Sequence, residues 1–592
     1  MTTTQHEVKS LHSDFSSASD SSDSIDRSLQ AAIGKLTQGI SPSALMLAFF
    51  DWYIHLMIHP AKQLELVQLY QQYSSYFIRQ LTGQLAGDTT GEFCVILNPQ
   101  DKRFTNKYWQ AFPYSFIYES FLLTQHWWHA AATNVRGVSH HHEEVVDFTL
   151  RQMLDMMSPA NSPFTNPEIQ QAAIEQQGRN FLRGLENFFE DSLRIQRGDP
   201  PYGAEQFIIG RNIATTPGKV IYRNHLIELI QYAPTTELVY AEPILIVPAW
   251  IMKYYILDLE PKHSLVSYLV NKGHTVFIIS WMNPKKKDKH LSMYDYLNLG
   301  ILSPIHVIKA IIPNHKIHLA GYCLGGTLSA IAAATLARDN DTCLASMTLL
   351  AAQTDFTDPG ELGLFIDESQ ISFLENIMLQ NGYLDTHQMI GTFQLLRSND
   401  LIWSRIVHDY LLGMRKPLTD LMAWNADATR LPCRMHTEYL RNLFLNNELA
   451  EGKYIVNHKP IALTDISIPI FVIATEKDHV SPWRSVFKIN LLTNSEVTFA
   501  LTSGGHNVGI VSLPTKTTKR YFRLLTTKEN HRYIDPDSWY QSIKPQPGSW
   551  WPKWEKWIIK QSSKKIKPPS MGNPEAGYPI LEDAPGKYVL EK

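Results

Sequence analysis

The sequence predicts an α/β fold: a parallel sheet covered by helices on both faces, carrying an inserted cap and preceded by a mainly helical N-terminal domain. Three observations carry this. After Tyr202, six short and almost wholly apolar runs alternate with helical stretches, the pattern of strands buried on both sides. That rhythm stops between Asp355 and Lys459 for roughly a hundred residues, too long for a structureless loop inside a compact domain. From about Leu29 to Arg197, apolar residues instead recur at three- and four-residue spacing, with few β-rich runs. The expected divisions are a tail over 1–28, a helical domain over 29–200 for partner contacts, and an α/β catalytic domain over 201–592 with its cap at about 356–459.

Taken in order, Met1–Ser28 is rich in Ser, Thr and Asp, lacks a basic-then-apolar targeting pattern, and reads as a disordered tail. Ala44–Leu81 is helical with an interruption at Pro60. Its aromatic face (Phe49, Phe50, Trp52, Tyr53) is expected to pack within its own domain, a partner surface being the alternative. His140, His141 and His142 precede Glu143 and Glu144. Consecutive side chains point in different directions, so a solvated loop or helix end is expected there, with no metal site. The six strands are Pro243–Val247, Thr275–Trp281, Lys316–Ala320, Met347–Ala351, Ile468–Ala474 and Val497–Leu501.

Composition excludes several function classes. Lys and Arg number 54 against 57 Asp and Glu, a net charge of −3, so no global positive field recruits nucleic acid. Four cysteines (Cys94, Cys323, Cys343, Cys433) are too few for a disulfide scaffold, and none form a CxxC pair. A reducing compartment is expected, in which a cysteine can be chemical. The most apolar stretch, Leu45–Ile58, contains Asp51 and His55 and falls short of the ~20 residues a membrane span needs, so the cytoplasm is the expected setting.

The sharpest local signal is Gly321-Tyr322-Cys323-Leu324-Gly325-Gly326, between the strand KIHLA and the small-residue helix Thr327–Ala337. This is the context of a nucleophile elbow, the G-x-S-x-G turn of the α/β-hydrolase fold with cysteine in place of serine. Glycines are needed because the nucleophile's backbone is strained and a neighbouring Cβ would clash at the tight strand–helix crossing. A helix N-terminus also favours a thiolate there.

A thiol nucleophile needs a base, and the base an orienting carboxylate, in the chain order nucleophile, acid, histidine. Asp478 follows the strand IPIFVIA, and His506 follows the strand VTFAL, so both should emerge at the same carboxyl edge of the sheet as Cys323. Glu476 and His479 are the alternatives. Glu476 lies nearer the strand end than the loop tip, and adjacency to Asp478 makes His479 an awkward partner for it. Cys343 and Cys433 lack the elbow and are expected to be structural. One oxyanion-hole donor is the N–H of Leu324; the other should come from the loop Val247–Met252. Pro248 cannot donate, which leaves Ala249, Trp250 or Ile251, and Ile251 is the choice.

Thiolate attack on a thioester exchanges thiol for thiol, so Cys323 suits an acyl-CoA-type donor. A hydrophobic cap would exclude water and let an alcohol accept the acyl group. With a hydroxyl on each acyl unit, repeated transfer builds a polyester.

From about Asp101 to its end the chain resembles the class I polyhydroxyalkanoate synthases, the polyester polymerases of bacterial storage granules. The likeness runs through DKRF (Asp101–Phe104), MSPAN and TNPE (Met157–Glu168), IVPAWIMKYYILDL (Ile246–Leu259), GHTVFIISWMNP (Gly273–Pro284) and GYCLGG. It continues through WNADATRLP (Trp424–Pro432), EKDHVSPW (Glu476–Trp483), SGGHNVG (Ser503–Gly509), GSWWPKW (Gly548–Trp554) and APGKYV (Ala584–Val589). The resemblance implies a homodimer with no second subunit type, in the cytoplasm and on granules, in contact with the growing polyester. It implies short-chain (R)-3-hydroxyacyl-CoA as substrate, typically 3-hydroxybutyryl-CoA, with coenzyme A as leaving group and neither cofactor nor metal. The family's catalytic Cys, Asp and His fall on Cys323, Asp478 and His506. Many relatives carry Asn where Met252 stands, so a side-chain contact to substrate from that position is not expected here. Other readings are an intracellular polyester depolymerase, an acyl-CoA thioesterase, or a granule-coating scaffold. The cap, the long helical domain and the complete Cys/Asp/His set weigh against them.

Overall fold

The computed structural model describes residues 26–37, 39–85, 101–396, 398–515, 519–529 and 532–592. Cys94 and positions 1–25 of the expected tail lie outside the described residues, and a helix occupies 26–36. The chain divides into two units. One holds residues 40–202 and 389–418; the other holds 203–388 and 419–592 together with the first helix.

The second unit is built on a mixed sheet. Its strands are β1 (Gly218–Arg223), β2 (Ile227–Tyr232), β3 (Ile244–Val247), β4 (Val276–Trp281), β5 (Ile317–Tyr322) and β6 (Leu344–Leu350), followed by β7 (Ile470–Thr475), β8 (Val497–Thr502), β9 (Tyr521–Thr527), β10 (Gln546–Pro547) and β11 (Glu582–Asp583). Among the described residues they lie in the order β10-β9-β8-β7-β6-β5-β3-β4-β2-β1-β11. The six runs expected as strands are β3 to β8, and these pair in parallel. Antiparallel strands extend the sheet at both edges. The antiparallel strand β2 does not read as an apolar run because it carries a charge that is neutralised in place. Glu228 of β2 is fully buried, and Arg223 of β1 donates to it at 2.7 Å.

On one face of the sheet Ile244 and Ile246, Val276 and Ile278, Ala320 and Tyr322, and Phe471 and Ile473 alternate at period two into a single core. The helices Leu265–Asn271 and Trp551–Lys560 close it, the latter with Trp551 and Trp554 fully buried. The helix Leu324–Arg338 packs on β5 and β6; its Ala-rich sequence lets it lie close to the sheet, and it is buried from Leu324 to Thr335. Between β6 and β7 this unit adds the helices Glu368–Asn381, Asp420–Asn425 and Cys433–Glu438.

The other unit is helical, with Pro42–Met57, Pro60–Leu85, Tyr114–Ala132, His140–Met156 and Arg179–Arg197 as its main elements. Pro60 opens a new helix, as its missing N–H and fixed φ favour. The aromatic face divides. Trp52 turns inward and donates its indole N–H to the Ala131 carbonyl at 2.9 Å, whereas Phe50 and Tyr53 stay 64% and 53% exposed. The His140–His142 run forms a helix start capped by the Ser139 hydroxyl, and His142 pairs with Asp51 at 2.6 Å. The DKRF block owes its pattern to Arg103, which holds Asp101 at 2.7 Å and the buried Asp155 at 2.8 Å. No helix among the described residues is long and apolar enough to cross a membrane.

Candidate active site

Cys323 stands between β5 and the helix Leu324–Arg338 with φ 53° and ψ −123°, a left-handed conformation that a side chain adopts only under constraint. The constraint is visible in its backbone bonds. Its N–H donates to Leu350 of β6 at 2.9 Å, while its carbonyl accepts from Gly326 at 2.8 Å and Thr327 at 3.2 Å. A Cβ at Gly321 would lie 2.4 Å from the Gly326 Cα, and one at Gly325 would lie 2.1 Å from the Val247 carbonyl oxygen. The crossing therefore admits glycine alone at these two places. The Cys323 thiol ends half-buried at the carboxyl edge of the sheet.

The tip after β7 delivers Asp478. Its carboxylate accepts the Thr475 hydroxyl at 3.0 Å and the N–H groups of Val480 and Ser481 at 3.0 and 2.8 Å. It also meets the His506 Nδ1 at 2.8 Å, across 28 residues of sequence. His506 begins the short helix His506–Ile510 after β8. Two tryptophans support that helix from behind. Trp550 and Trp551 donate their indole N–H groups to the carbonyls of Gly509 and Ile510 at 3.0 and 2.9 Å, which accounts for the Trp pair in GSWWPKW.

The Cys323 side chain lies close enough to the imidazole to act on its charge. Burial disfavours its cation, but the charge of Asp478 and then the Cys323 sulfur outweigh burial and raise the His506 pKa well above its ordinary value. The structure thus brings Cys323, His506 and Asp478 together, with the His506–Asp478 hydrogen bond formed. Glu476 is turned away and accepts the Tyr521 hydroxyl at 2.6 Å, and the His479 Nδ1 lies 3.9 Å from Glu361. Cys343 and Cys433 are buried; burial, then nearby Asp341, pushes the Cys343 thiol up to about 12.

The loop after β3 lies against the elbow, since the Pro248 carbonyl oxygen would be 2.7 Å from a Cβ on Gly325. It is pinned from several directions. Trp281 donates to the Pro248 carbonyl at 2.9 Å, Thr429 N–H to the Ile251 carbonyl at 2.9 Å, and Trp424 to the Lys253 carbonyl at 2.7 Å. The Lys253 ammonium in turn donates to the Glu591 carbonyl at 2.6 Å. The WNADATRLP block is therefore a clamp on the VPAWIMK loop. Leu324, as the first helical residue, has an N–H that the helix itself leaves without a partner.

Two features beside this chain had no signal in the sequence. The Tyr322 hydroxyl donates to Asn507 Oδ1 at 2.5 Å. Tyr439, from the insertion, is buried close enough to Cys323 for the sulfur's charge to add to burial in raising its hydroxyl pKa. Away from the elbow, Glu260, His263 and Asp420 bring ligand-type atoms within 4.8 Å of one another, but Lys262 engages Glu260 at 2.8 Å and His263 engages Asp420 at 2.5 Å.

Residues 100–269 match the family model described as the poly-beta-hydroxybutyrate polymerase (PhaC) N-terminus, and residues 20–62 the one described as poly-beta-hydroxybutyrate polymerase N terminal. Residues 242–512 match the alpha/beta hydrolase fold. The chain is 38% identical over 541 residues to a poly(3-hydroxyalkanoate) polymerase of Methylorubrum extorquens, covering 90% of this chain and 87% of that one. It is 35% identical over 513 residues to a poly(3-hydroxyalkanoate) polymerase subunit PhaC of Rhizobium meliloti, covering 86% and 82%. To the corresponding subunit of Cupriavidus necator it is 36% identical over 501 residues, covering 83% of each.

Proposed function

The chain belongs to the poly(3-hydroxyalkanoate) polymerases, and from that premise we propose that it joins (R)-3-hydroxyacyl-CoA units into a polyester with release of coenzyme A. Within the family the reading is a class I enzyme, a homodimer working in the cytoplasm and on polymer granules, with short acyl chains such as 3-hydroxybutyryl as substrate. Coenzyme A enters as part of the substrate and is not a resident cofactor.

The observation that carries the mechanism is the approach of Cys323, His506 and Asp478, with the His506 Nδ1 2.8 Å from the carboxylate. His506 takes the thiol proton, and the sulfur attacks the thioester carbonyl. The oxyanion that forms is held by the N–H groups of Leu324 and Ile251. As it collapses, the C–S bond to coenzyme A breaks, and the departing thiolate takes the proton from His506. The acyl group is now a thioester on Cys323. The hydroxyl of an incoming monomer or chain then gives its proton to His506 and attacks that thioester, forming an ester bond and freeing the sulfur. Asp478 keeps the imidazole oriented and balances its charge in each half. Transfer to an alcohol in place of water needs a site closed to solvent, which the insertion between β6 and β7 would supply.

The test supplies purified full-length chain with 3-hydroxybutyryl-CoA while free thiol, free acid and insoluble polymer are followed. Thiol release with polymer and little acid is expected. Acid as the main product would make the protein a thioesterase, and absence of thiol release would remove catalysis from it altogether.

A further inference from the structure

The loop between β4 and the helix Met293–Leu297 contains Lys285, Lys286, Lys287 and Lys289 within five positions. Lys285, Lys286 and Lys287 are exposed, and among the described residues no ion pair engages them. The one acidic residue among them, Asp288, is buried and already committed: it accepts the Lys285 N–H at 2.7 Å and meets His225 Nε2 at 2.7 Å. A chain of net charge −3 thus carries a compact positive patch.

The patch is fixed in position. Asn283 accepts the Arg430 N–H at 3.0 Å and donates its own to Glu591 at 2.9 Å, and the Lys289 carbonyl accepts from Arg434 at 3.1 Å. It is also at the edge of the sheet where the thiol lies. Ile278, Ile246 and Ala320 stand opposite one another across β4, β3 and β5. Trp281 and Cys323 each come three residues later, so they stand level, two strand spacings or about 10 Å apart. The lysines begin four residues after Trp281, whose indole holds the Pro248 carbonyl of the loop beside the elbow.

An acyl-CoA thioester has its reactive carbon at one end of a long uncharged pantetheine arm and its phosphates at the other. A positive patch set back from the nucleophile on the same sheet edge matches that separation of charge from chemistry. We propose that Lys285, Lys286 and Lys287 form the subsite for the phosphates of the coenzyme A thioester. This rests on the polymerase reading above. The contacts are of the exposed, salt-sensitive kind, contributing to capture of substrate and not to the chemical step.

The test compares 3-hydroxybutyryl-CoA with 3-hydroxybutyryl-pantetheine, which lacks the phosphates, in the parent and in K285A/K286A/K287A. The parent should favour the CoA thioester in kcat/KM, and the variant should reduce that preference about tenfold through KM. K285E/K286E/K287E should reduce it further, and added salt should erode the preference in the parent more than in either variant. A preference that is the same in parent and variants overturns the subsite. A parent that turns over neither thioester overturns the polymerase reading instead, so the two failures are distinguishable.

Discussion

The hydroxyl of Tyr322 donates to the Oδ1 of Asn507 at 2.5 Å, joining the residue just before the thiol to the residue just after the imidazole. The Tyr322 ring also lies 5.6 Å from that of His506. This bond ties the end of β5 to the start of the helix after β8, and so, in the proposed mechanism, sets the gap that the proton crosses. Asn507→Ala should lower kcat about tenfold with little change in KM, because misplacing a reacting group acts on the chemical step. Tyr322→Phe should do the same, and the double variant should be no worse than either single one. Steady-state kinetics of the three variants check this; additive losses would contradict it.

Cys323→Ala should abolish polymer formation, to below about a thousandth of the parent rate, with the fold retained by circular dichroism. Cys323→Gly should be equally inactive yet more stable than the alanine variant by about 1 kcal/mol, since only glycine adopts φ 53° without strain. Denaturant melts of the two variants check the sign.

The raised His506 pKa gives a pH dependence of stability. A histidine whose folded pKa lies above its unfolded value of about 6.5 contributes stability that is complete below that value and is lost as pH rises through the folded pKa. Asp478→Asn removes the chief electrostatic cause of the shift. The parent should exceed the variant by about 3 kcal/mol near pH 6, with the gap narrowing on the alkaline side. Thermal melts across pH provide the measurement, and a gap widening with pH would reverse the assignment.

Gly325→Ala should separate activity from folding. Its Cβ would meet the carbonyl oxygens of Val247 and Pro248 at 2.1 and 2.7 Å, both of them backbone and unable to rotate away. The loop carrying Ile251 must shift, at a cost of about 1–3 kcal/mol. Acylation of Cys323, read as burst release of thiol, should fall at least tenfold. Loss of stability alone, with an unchanged burst, would leave that loop without an oxyanion role.

Much of this was legible in the sequence because the central strands are buried on both faces, so β3 to β8 announce themselves as apolar runs and their order places the site. The elbow was legible for a related reason: Gly321 and Gly325 face backbone at distances no side chain permits. The antiparallel strand β2 was not, since Glu228 reads as solvent-exposed until Arg223 is seen beside it. Nor was the division of the Pro42–Met57 aromatic face, because helical spacing alone does not reveal that Trp52 reaches the Ala131 carbonyl while Phe50 stays outside. The Tyr322–Asn507 bond spans 185 residues and leaves no local trace.

The pairing of β6 with β7 has a consequence for how activity is acquired. Met347 meets Ile470 across the whole inserted segment; Asp478 follows the strand that makes this union, and His506 follows the strand paired on its far side. Closing so long a loop is the slow kind of event in assembling a domain. During renaturation, turnover should therefore return later than helical signal, in step with the closure that brings the two halves of the sheet together.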